Sequence, residues 1–288
     1  MLWRMIESFE FKGPEAGPAV LFFGAIHGNE VCGPKAIRRF VDELQSGVRS
    51  LQKGSVTFVP VCSPRAYEAN TRYCEENLNR IFKRTENPTS YEAALANELA
   101  PFIERCDVFL DLHSMTASGK PFIFIDFPSD ATHALARSLP AEMAIVGWPE
   151  LYKRPETEHD SFDTTTYAAE HGKAGLLIEC GQHEDPEAAE VAYRAIENTL
   201  IHCGVLLGNA PENDLTIIEM DRVFFRKSEA EKFAKDWQHL EHVNKDEILF
   251  YDENGAPVTA PYDAYVIMPK ESAKVDEEWL YLGKKISA

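Results

Sequence analysis

The chain has little positive charge: 29 Lys and Arg stand against 47 Asp and Glu, which gives a formal net charge of −18 over 288 residues. This balance argues against nucleic acid or an anionic membrane as a partner, because both bind basic surfaces. No apolar stretch approaches the roughly 20 residues of a membrane span. With 44% apolar residues, the composition is that of a globular protein with one large domain, or a large and a small one.

Cysteine is also sparse, and its six copies include no CxxC pair. They are Cys32, Cys62, Cys74, Cys106, Cys180 and Cys203. The first seven residues, MLWRMIE, carry charges too early for the apolar segment of a secretory signal. We therefore expect buried free thiols in a reducing cytoplasm rather than disulfides.

The first two-thirds of the chain alternate apolar, strand-like runs with helical patterns. The predicted strands are Pro18–Phe23, Ser55–Val61, Asp107–Leu112, Pro121–Asp126 and Ala174–Cys180. The predicted helices are Val31–Leu44, Ser90–Arg105 with Ser90 as N-cap, Ala131–Leu139, Asp160–His171 closed by Gly172, and Pro186–Leu207. Continuous apolar strands between helices are typical of an α/β fold, a mainly parallel sheet flanked by helices.

A turn-rich segment at residues 208–214 separates this pattern from a region of short strands. Strand-like runs follow at Leu215–Met220, Val223–Arg226, Glu247–Tyr251 and Ala264–Met268. A charged helix is expected over Glu229–His242, with His239 and His242 on one solvated face. We therefore predict a large α/β domain over residues 1–208 and a smaller, mainly β domain over residues 209–288.

Two histidines and one glutamate follow apolar strands. His27 and Glu30 lie in a short loop after the first strand, and His113 follows the third. Because the carboxyl ends of parallel strands meet at one sheet edge, these side chains can converge there. Two imidazoles and one carboxylate are a ligand set for a catalytic zinc ion, one per chain, with the fourth position left for water. Each residue also has a plainer alternative: a buried histidine is usually a hydrogen-bonded core residue, and Glu30 could cap the next helix.

Glu179 interrupts the apolar strand at 174–180, where a charged residue is rarely placed for packing. Beside a zinc-activated water it could act as general base and then protonate a leaving amine. The alternative is a buried glutamate paired with an arginine. Asp111 lies two residues before His113, on the same face of its strand, and either orients a ligand or makes turn hydrogen bonds. His183 either lines the pocket or belongs to a polar turn.

The loop-like segment at residues 70–82 supplies Arg72, Asn79 and Arg80. Arg80 can hold a carboxylate through two parallel hydrogen bonds, and Asn79 adds a donor. Arg72 could polarise a scissile carbonyl and stabilise the oxyanion. Taken alone, the two arginines are ordinary surface residues of an acidic protein.

Four motifs of the chain resemble, in order, those of the succinylglutamate desuccinylase/aspartoacylase family: GAIHGNE at 24–30, NTRYCEENLNRIF at 70–82, DLHS at 111–114 and IECG at 178–181. The resemblance implies a zinc carboxypeptidase-like fold, with residues 256–269 in a small C-terminal β domain that closes over one side of the site. It implies N-acyl amino acids as small-molecule substrates, cleaved to a carboxylate and a free amino acid. The implied roles are zinc binding by His27, Glu30 and His113, acid–base catalysis by Glu179, oxyanion support by Arg72, and carboxylate binding by Asn79 and Arg80.

The chain departs from aspartoacylase before the catalytic glutamate. The segment TTTYAAEH at 164–171 has no counterpart of the arginine that, in aspartoacylase, grips the second acid of the substrate. Tyr167 could match its tyrosine, and Lys153 and Arg154 lie upstream. The motifs thus predict amide hydrolysis and leave the acyl group and the amino acid open. The alternatives are a metallocarboxypeptidase acting on peptides and a non-catalytic metal-binding module, against which the retention of Glu179 argues.

Overall fold

A computed structural model describes residues 6–153 and 162–286 of the chain. Its strands are β1 (Phe9–Lys12), β2 (Glu15–Gly24), β3 (Lys53–Val59), β4 (Val108–Met115), β5 (Phe122–Phe124), β6 (Met143–Val146), β7 (Ala174–Gln182), β8 (Thr216–Phe225), β9 (Lys232–Phe233), β10 (Glu241–Val243), β11 (Ile248–Tyr251), β12 (Pro257–Thr259), β13 (Ala264–Ile267) and β14 (Glu278–Ile286). Its helices are α1 (Cys32–Gln45), α2 (Pro64–Ala69), α3 (Tyr91–Arg105), α4 (Asp130–Ser138), α5 (Trp148–Tyr152), α6 (Thr164–Glu170) and α7 (Pro186–His202), with a 3-10 turn at Leu78–Arg80.

Most of the strands form one mixed sheet, in the order β1-β3-β2-β4-β7-β5-β6-β8-β14-β13-β10. In its centre β2 pairs in parallel with β3 and β4, and β4 pairs in parallel with β7. The strand β5 runs antiparallel to β7. A second, antiparallel sheet has the order β12-β11-β9. The structure confirms the predicted α/β class with a mainly parallel central sheet.

The central strands are apolar on both faces because helices cover both. Phe22 and Phe23 are consecutive on β2, so they point to opposite faces, and both are fully buried. Phe22 packs in a cluster with Phe40 of α1, whereas Phe23 packs in another with Leu99 of α3. Truncation of such a core phenylalanine to alanine typically costs about 3–5 kcal/mol of stability.

Several local signals of the sequence hold in the structure. Ser90 caps α3, its side chain accepting a hydrogen bond from the backbone N–H of Ala93. Gly172 follows α6 with a φ of 68°, a left-handed conformation that glycine adopts without strain. The helix α7 ends at His202, before the predicted end at Leu207. Five of the described elements before residue 208 were not predicted: β1, α2, the 3-10 turn, β6 and α5.

The helix predicted over Glu229–His242 is wrong, because the structure places strands β9 and β10 and turns there. The carboxylate of Glu231 accepts hydrogen bonds from the backbone of residues 227 and 228, which fixes a turn. The indole of Trp237 is buried and donates to the carbonyl of Leu249. His239 therefore lies on no solvated helix face. It is buried, and its Nδ1 accepts a hydrogen bond from the N–H of Met268.

After residue 208, the strands β8, β10, β13 and β14 continue the main sheet. The two runs predicted at Leu215–Met220 and Val223–Arg226 are the single strand β8, which pairs in parallel with β6 and antiparallel with β14. Through this pairing β14 brings Glu278 and Tyr281 next to α5, where Tyr152 hydrogen-bonds to both. The division into residues 1–208 and 209–288 stays a prediction.

All six cysteines are free. Four are buried as expected, but Cys74 is exposed and Cys203 is partly exposed. Among the described residues, no helix combines the length and apolar character needed to cross a bilayer. The start of the helix predicted at Asp160, and Arg154 upstream of it, lie outside the described residues.

Candidate active site

Three adjacent parallel strands deliver the candidate residues to one edge of the sheet. The order β2-β4-β7 places the loop after β2, which carries His27 and Glu30, beside the ends of the other two strands. The register pairs His113 of β4 directly with Glu179 of β7. The structure therefore brings together side chains that are up to 152 positions apart in the chain.

Gly28 allows the loop after β2 to lie close to α2. A Cβ atom at this position would stand 2.1 Å from the carbonyl carbon of Ala66, far inside van der Waals contact. The N–H of Gly28 also donates to the carbonyl of Arg72, which ties the two loops of the site together. Backbone contact of this kind fixes where His27 points.

His27, Glu30 and His113, the metal ligands that the sequence predicts, lie together in one cluster that could hold a metal ion. One ligand atom from each lies within 4.8 Å of the other two, and all three side chains are buried. The Nδ1 atom of His27 is 2.8 Å from Oε1 of Glu30, and the Nδ1 atom of His113 is 2.9 Å from Oε2. The single carboxylate thus faces one nitrogen of each imidazole.

The hydrogen bonds around His27 show that this cluster fits a cation. Its Nε2 lies 3.0 Å from Oδ1 of Asn77, which also accepts the backbone N–H of Asn79 and is therefore the amide oxygen. Nε2 accordingly carries the hydrogen, and the lone pair of Nδ1 faces the carboxylate of Glu30. Two lone pairs at 2.8 Å repel unless a cation lies between them. Two imidazole nitrogens and a carboxylate are donors that suit Zn²⁺.

The pKa shifts follow from burial and charge. Burial, together with Arg72, lowers the pKa of His27 from 6.5 to about 3, so its imidazole is neutral and able to bind a metal. Burial disfavours the charged form of His113, but the Asp111 and Glu30 carboxylates outweigh it and raise the pKa of this imidazole. Burial also works against ionised Glu30, whereas His27 and His113 outweigh that effect and lower the pKa of its carboxyl.

Asp111 contacts a candidate ligand. Its Oδ2 lies 3.1 Å from Nε2 of His113, the nitrogen that points away from Glu30, and accepts a hydrogen bond of 2.6 Å from the hydroxyl of Thr164. A carboxylate in this place orients the ring and increases the basicity of its other nitrogen. Of the two interpretations open in the sequence, the geometry favours the orienting one.

Glu179 is buried beside the cluster without a partner for one of its oxygens. Its Oε2 has no hydrogen-bond partner among residues 6–153 and 162–286, and the residue is 5% exposed. Burial and the charge of Glu30 raise the pKa of its carboxyl from 4.5 to about 8. A carboxyl with a pKa near neutrality can both accept and release a proton at physiological pH. The sequence also allowed Glu179 to be a buried glutamate paired with an arginine. Nη1 of Arg72, however, lies 3.2 Å from Oε1 of Glu30, so Arg72 pairs with Glu30 instead.

The segment at residues 70–82 presents its predicted residues in different ways. Arg72 is partly exposed, whereas Asn79 is buried and its side-chain oxygen accepts the N–H of Thr164. Arg80 donates to the carbonyl of Asn79, and its guanidinium lies 5.0 Å from the ring centre of Trp148. All three side chains border the same cleft.

Sequence reasoning missed a residue that holds this segment in place. Glu92, in the first turn of α3, is fully buried, and its carboxylate accepts backbone N–H groups of Cys74, Glu75 and Glu76. In the sequence it is merely an acid in the first turn of a helix, where acids are common. His183 hydrogen-bonds through Nδ1 to the hydroxyl of Ser114 and borders a separate pocket.

The cleft has two lobes. The outer lobe has a volume of about 280 Å³, and Met268, Lys270, Glu277 and Tyr281 of the C-terminal region form one of its walls. The inner lobe has a volume of about 40 Å³ and reaches His27, His113, Asp126 and Asp163. Arg72, Arg80, Trp148, Glu179 and Met268 border both lobes. Trp148 and Asp126 were not predicted as site residues, since no local motif marks them.

Comparisons with known proteins agree with this geometry. Residues 16–203 match the family described as the succinylglutamate desuccinylase/aspartoacylase catalytic domain. A succinylglutamate desuccinylase of Vibrio vulnificus (strain YJ016) is 29% identical over 117 residues, 38% of this chain and 34% of that protein. An N-alpha-acetyl-L-2,4-diaminobutyric acid deacetylase of Halomonas elongata is 29% identical over 222 residues, 71% of this chain and 60% of that protein. The chain thus aligns with less than two thirds of the length of either relative.

The fold has solved counterparts. A structure described as a succinylglutamate desuccinylase/aspartoacylase from Rhodobacter sphaeroides superposes with a TM-score of 0.77, and the match covers 98% of this chain and 89% of that one. The two sequences are 20% identical, so this likeness concerns the fold.

Proposed function

The chain belongs to the succinylglutamate desuccinylase/aspartoacylase family, and we propose that it is a zinc-dependent hydrolase that cleaves the amide bond of an N-acyl amino acid. The observation that carries this proposal is the convergence of His27, Glu30 and His113 next to a buried Glu179 whose Oε2 has no hydrogen-bond partner in the described part of the chain. A module that only stored a metal would have no need for a further buried carboxyl beside the ligands.

Glu179 is the acid and base of the proposed reaction. A zinc ion on His27, Glu30 and His113 would supply Lewis-acid polarisation of the amide carbonyl and would acidify water. The carboxylate of Glu179 takes a proton from the attacking water as the new C–O bond forms. It then delivers that proton to the amide nitrogen as the C–N bond breaks, which yields a carboxylate and a free amine.

The arginines provide charge where the reaction needs it. Arg72 borders both lobes of the cleft beside Glu179, and its guanidinium would donate to the oxyanion of the tetrahedral intermediate. Arg80 and the amide of Asn79 would hold the carboxylate of the amino acid. Local positive charge is necessary, because the net charge of −18 repels an anionic substrate at long range.

The C-terminal strands support a small substrate. Residues of 268–281 border the outer lobe together with residues of the segment at 70–82. We propose that residues 209–288 limit access in this way, and that the catalytic residues all belong to residues 1–208. A metallocarboxypeptidase would instead need a cleft open to a polypeptide.

The test is hydrolysis by the full chain after removal of metal and reconstitution with one equivalent of Zn²⁺. We expect cleavage of N-acetyl or N-succinyl amino acids, abolished by a chelator and restored by Zn²⁺. Peptides with a free carboxyl terminus are the comparison substrates, and faster cleavage of these would establish the metallocarboxypeptidase instead. Stoichiometric zinc binding without hydrolysis of any substrate would point to the non-catalytic module.

A further inference from the structure

The chain bends at Met268, where it passes the junction of the two lobes. The φ of this residue is 47°, in the left-handed region that residues other than glycine seldom adopt. Met268 borders both the outer and the inner lobe. Backbone strain of this kind persists only where the surrounding structure holds it, and it is most frequent at functional sites. A contact outside the cleft must therefore hold Met268 in place.

That contact is a hydrogen bond to the buried His239. The N–H of Met268 donates to Nδ1 of His239 over 2.9 Å. Burial lowers the pKa of this histidine from 6.5 to about 3, so the imidazole is neutral and carries its one hydrogen on Nε2. Nε2 has no hydrogen-bond partner among the described residues. Within that part of the chain, the ring therefore makes its hydrogen bond to Met268 alone.

His239 is itself fixed by the loop that follows β4. Its backbone N–H donates to the carbonyl of Ser118 over 3.1 Å, and its ring centre lies 4.2 Å from that of Phe122. A Cβ atom at Gly119 would stand 2.8 Å from the Cβ of His239, so glycine allows the loop to approach this closely. The histidine is thus held on several sides, as a residue that supports a strained neighbour needs to be.

Two parts of the cleft wall meet at this histidine. Thr116 and Ala117, in the loop that holds His239, border the outer lobe, and Met268 borders both lobes. Phe122, against which the imidazole packs, pairs with Glu179 in the register of β5 and β7. The residues that border the two lobes include Met268 but not His239, so the histidine lies behind the wall.

We propose that His239 is a positioning residue of the cleft, which holds Met268 at the junction of the two lobes and so fixes the shape in which the substrate binds. The identity of that substrate rests on the proposed hydrolase function. His239 acts through a backbone N–H in the wall and not through the candidate metal ligands or Glu179. Its loss should therefore weaken substrate binding more than it slows the chemical step.

Hydrogen exchange on the metal-free full chain tests the hydrogen bond itself. His239→Leu keeps a buried apolar side chain but offers no acceptor, whereas His239→Asn offers an oxygen that is attached, like Nδ1, to the γ carbon. We expect the N–H of Met268 to be protected in the unmodified chain, to exchange at least about 10-fold faster in His239→Leu and to regain protection in His239→Asn. Fast exchange at Met268 in the unmodified chain would overturn the proposal, even if neither variant folds.

Steady-state kinetics of the zinc-loaded chain tests the effect on the cleft. With the N-acyl amino acid that the unmodified chain cleaves best, His239→Leu should raise KM by at least about 5-fold and change kcat by less than about 3-fold. His239→Asn should restore KM. Trp237→Phe is the matched control, because it removes a buried hydrogen bond from the same segment, the one to the carbonyl of Leu249, and should leave KM unchanged.

Met268→Gly shows whether His239 acts through Met268. Glycine adopts the left-handed conformation without strain, so it needs no support there. In this background His239→Leu should have no further effect on KM, within about 2-fold. A full effect of His239→Leu in addition to that of Met268→Gly would refute the route through Met268.

Failure of this inference is distinct from failure of the proposed function. If no N-acyl amino acid is cleaved, the hydrolase function fails, and hydrogen exchange at Met268 then decides whether His239 holds the junction. If hydrolysis occurs but His239→Leu leaves KM unchanged, or if Trp237→Phe raises KM equally, His239 has a general structural role and the inference is refuted.

Discussion

Replacement of Glu179 by glutamine should stabilise the metal-free protein while it abolishes most of the activity. The carboxyl has a pKa of about 8 in the folded chain and an ordinary value of 4.5. The folded state therefore holds a proton that the unfolded state releases between these values. This carboxyl costs no stability below pH 4.5, and its cost grows as the pH rises towards 8.

The magnitude follows from that interval. At pH 7 the cost is about 3 kcal/mol, since each pH unit above 4.5 contributes ~1.36 kcal/mol. Glutamine has the same shape and no charge, so Glu179→Gln should recover most of this amount. In a chain of this size the gain corresponds to a rise in Tm of about 5 °C. With zinc restored, loss of the acid and base should lower kcat by about 10²–10⁴-fold.

The assay combines urea unfolding of the metal-free protein at pH 7 and pH 5 with kinetics of the zinc-loaded protein. The stability gain should shrink at the lower pH, and zinc content should be unchanged. Glu92→Gln is the matched control, because its carboxylate is equally buried but accepts three backbone N–H groups. That variant should lose about 1–3 kcal/mol instead. If Glu179→Gln were less stable than the unmodified protein at pH 7, or if kcat stayed unchanged, the assignment of Glu179 would be refuted.

Three further predictions follow from the site and its surroundings. Arg80→Ala should raise KM by at least about 10-fold, and Arg72→Ala should mainly lower kcat, by about 10²–10³-fold. Steady-state kinetics measures both constants, and an unchanged KM for Arg80→Ala would contradict the proposed contact between Arg80 and the substrate carboxylate. Gly28→Ala should weaken zinc binding by about 10-fold or more, because the new Cβ would stand 2.1 Å from the backbone of Ala66 and the loop that carries His27 must move. Competition with a chromogenic chelator measures the zinc affinity, and an affinity equal to that of the unmodified chain would count against the prediction. His239 is neutral when folded, since burial lowers its pKa from 6.5 to about 3, so the unfolded chain binds the extra proton and stability falls as the pH drops below 6.5. Between pH 7 and 5.5 this residue should account for a loss of about 1 kcal/mol, which urea unfolding would find missing in His239→Gln.

Much of the fold could be predicted because its signals are local. The periodicity of α1 and α3, the N-cap at Ser90 and the apolar runs of β2, β4 and β7 each lie within a few residues. The helix predicted over Glu229–His242 failed because distant partners determine that segment. Trp237 is fixed by the carbonyl of Leu249, and His239 by the N–H of Met268. Charge and spacing alone carry no information about such contacts.

The candidate metal ligands were visible in the sequence, but their surroundings were not. His27, Glu30 and His113 follow apolar strands whose parallel order brings their ends together, so residue type and position were sufficient. Nothing local marks Glu92 as the acceptor for three backbone groups, or Trp148 as a wall of both lobes.

The amino-acid sequence by itself determined the α/β class, and it was sufficient to propose the candidate metal ligands and the acidic residue beside them, because strand ends and motif spacing are properties of short segments. Only the tertiary structure decided which charges remain without a partner. Asp111, Asp126 and Glu179 are three acids among 47 in the sequence, and what distinguishes them is the burial of an oxygen that no described neighbour satisfies. Burial and pairing depend on every element packed around a residue, and so they exist only once the chain has folded.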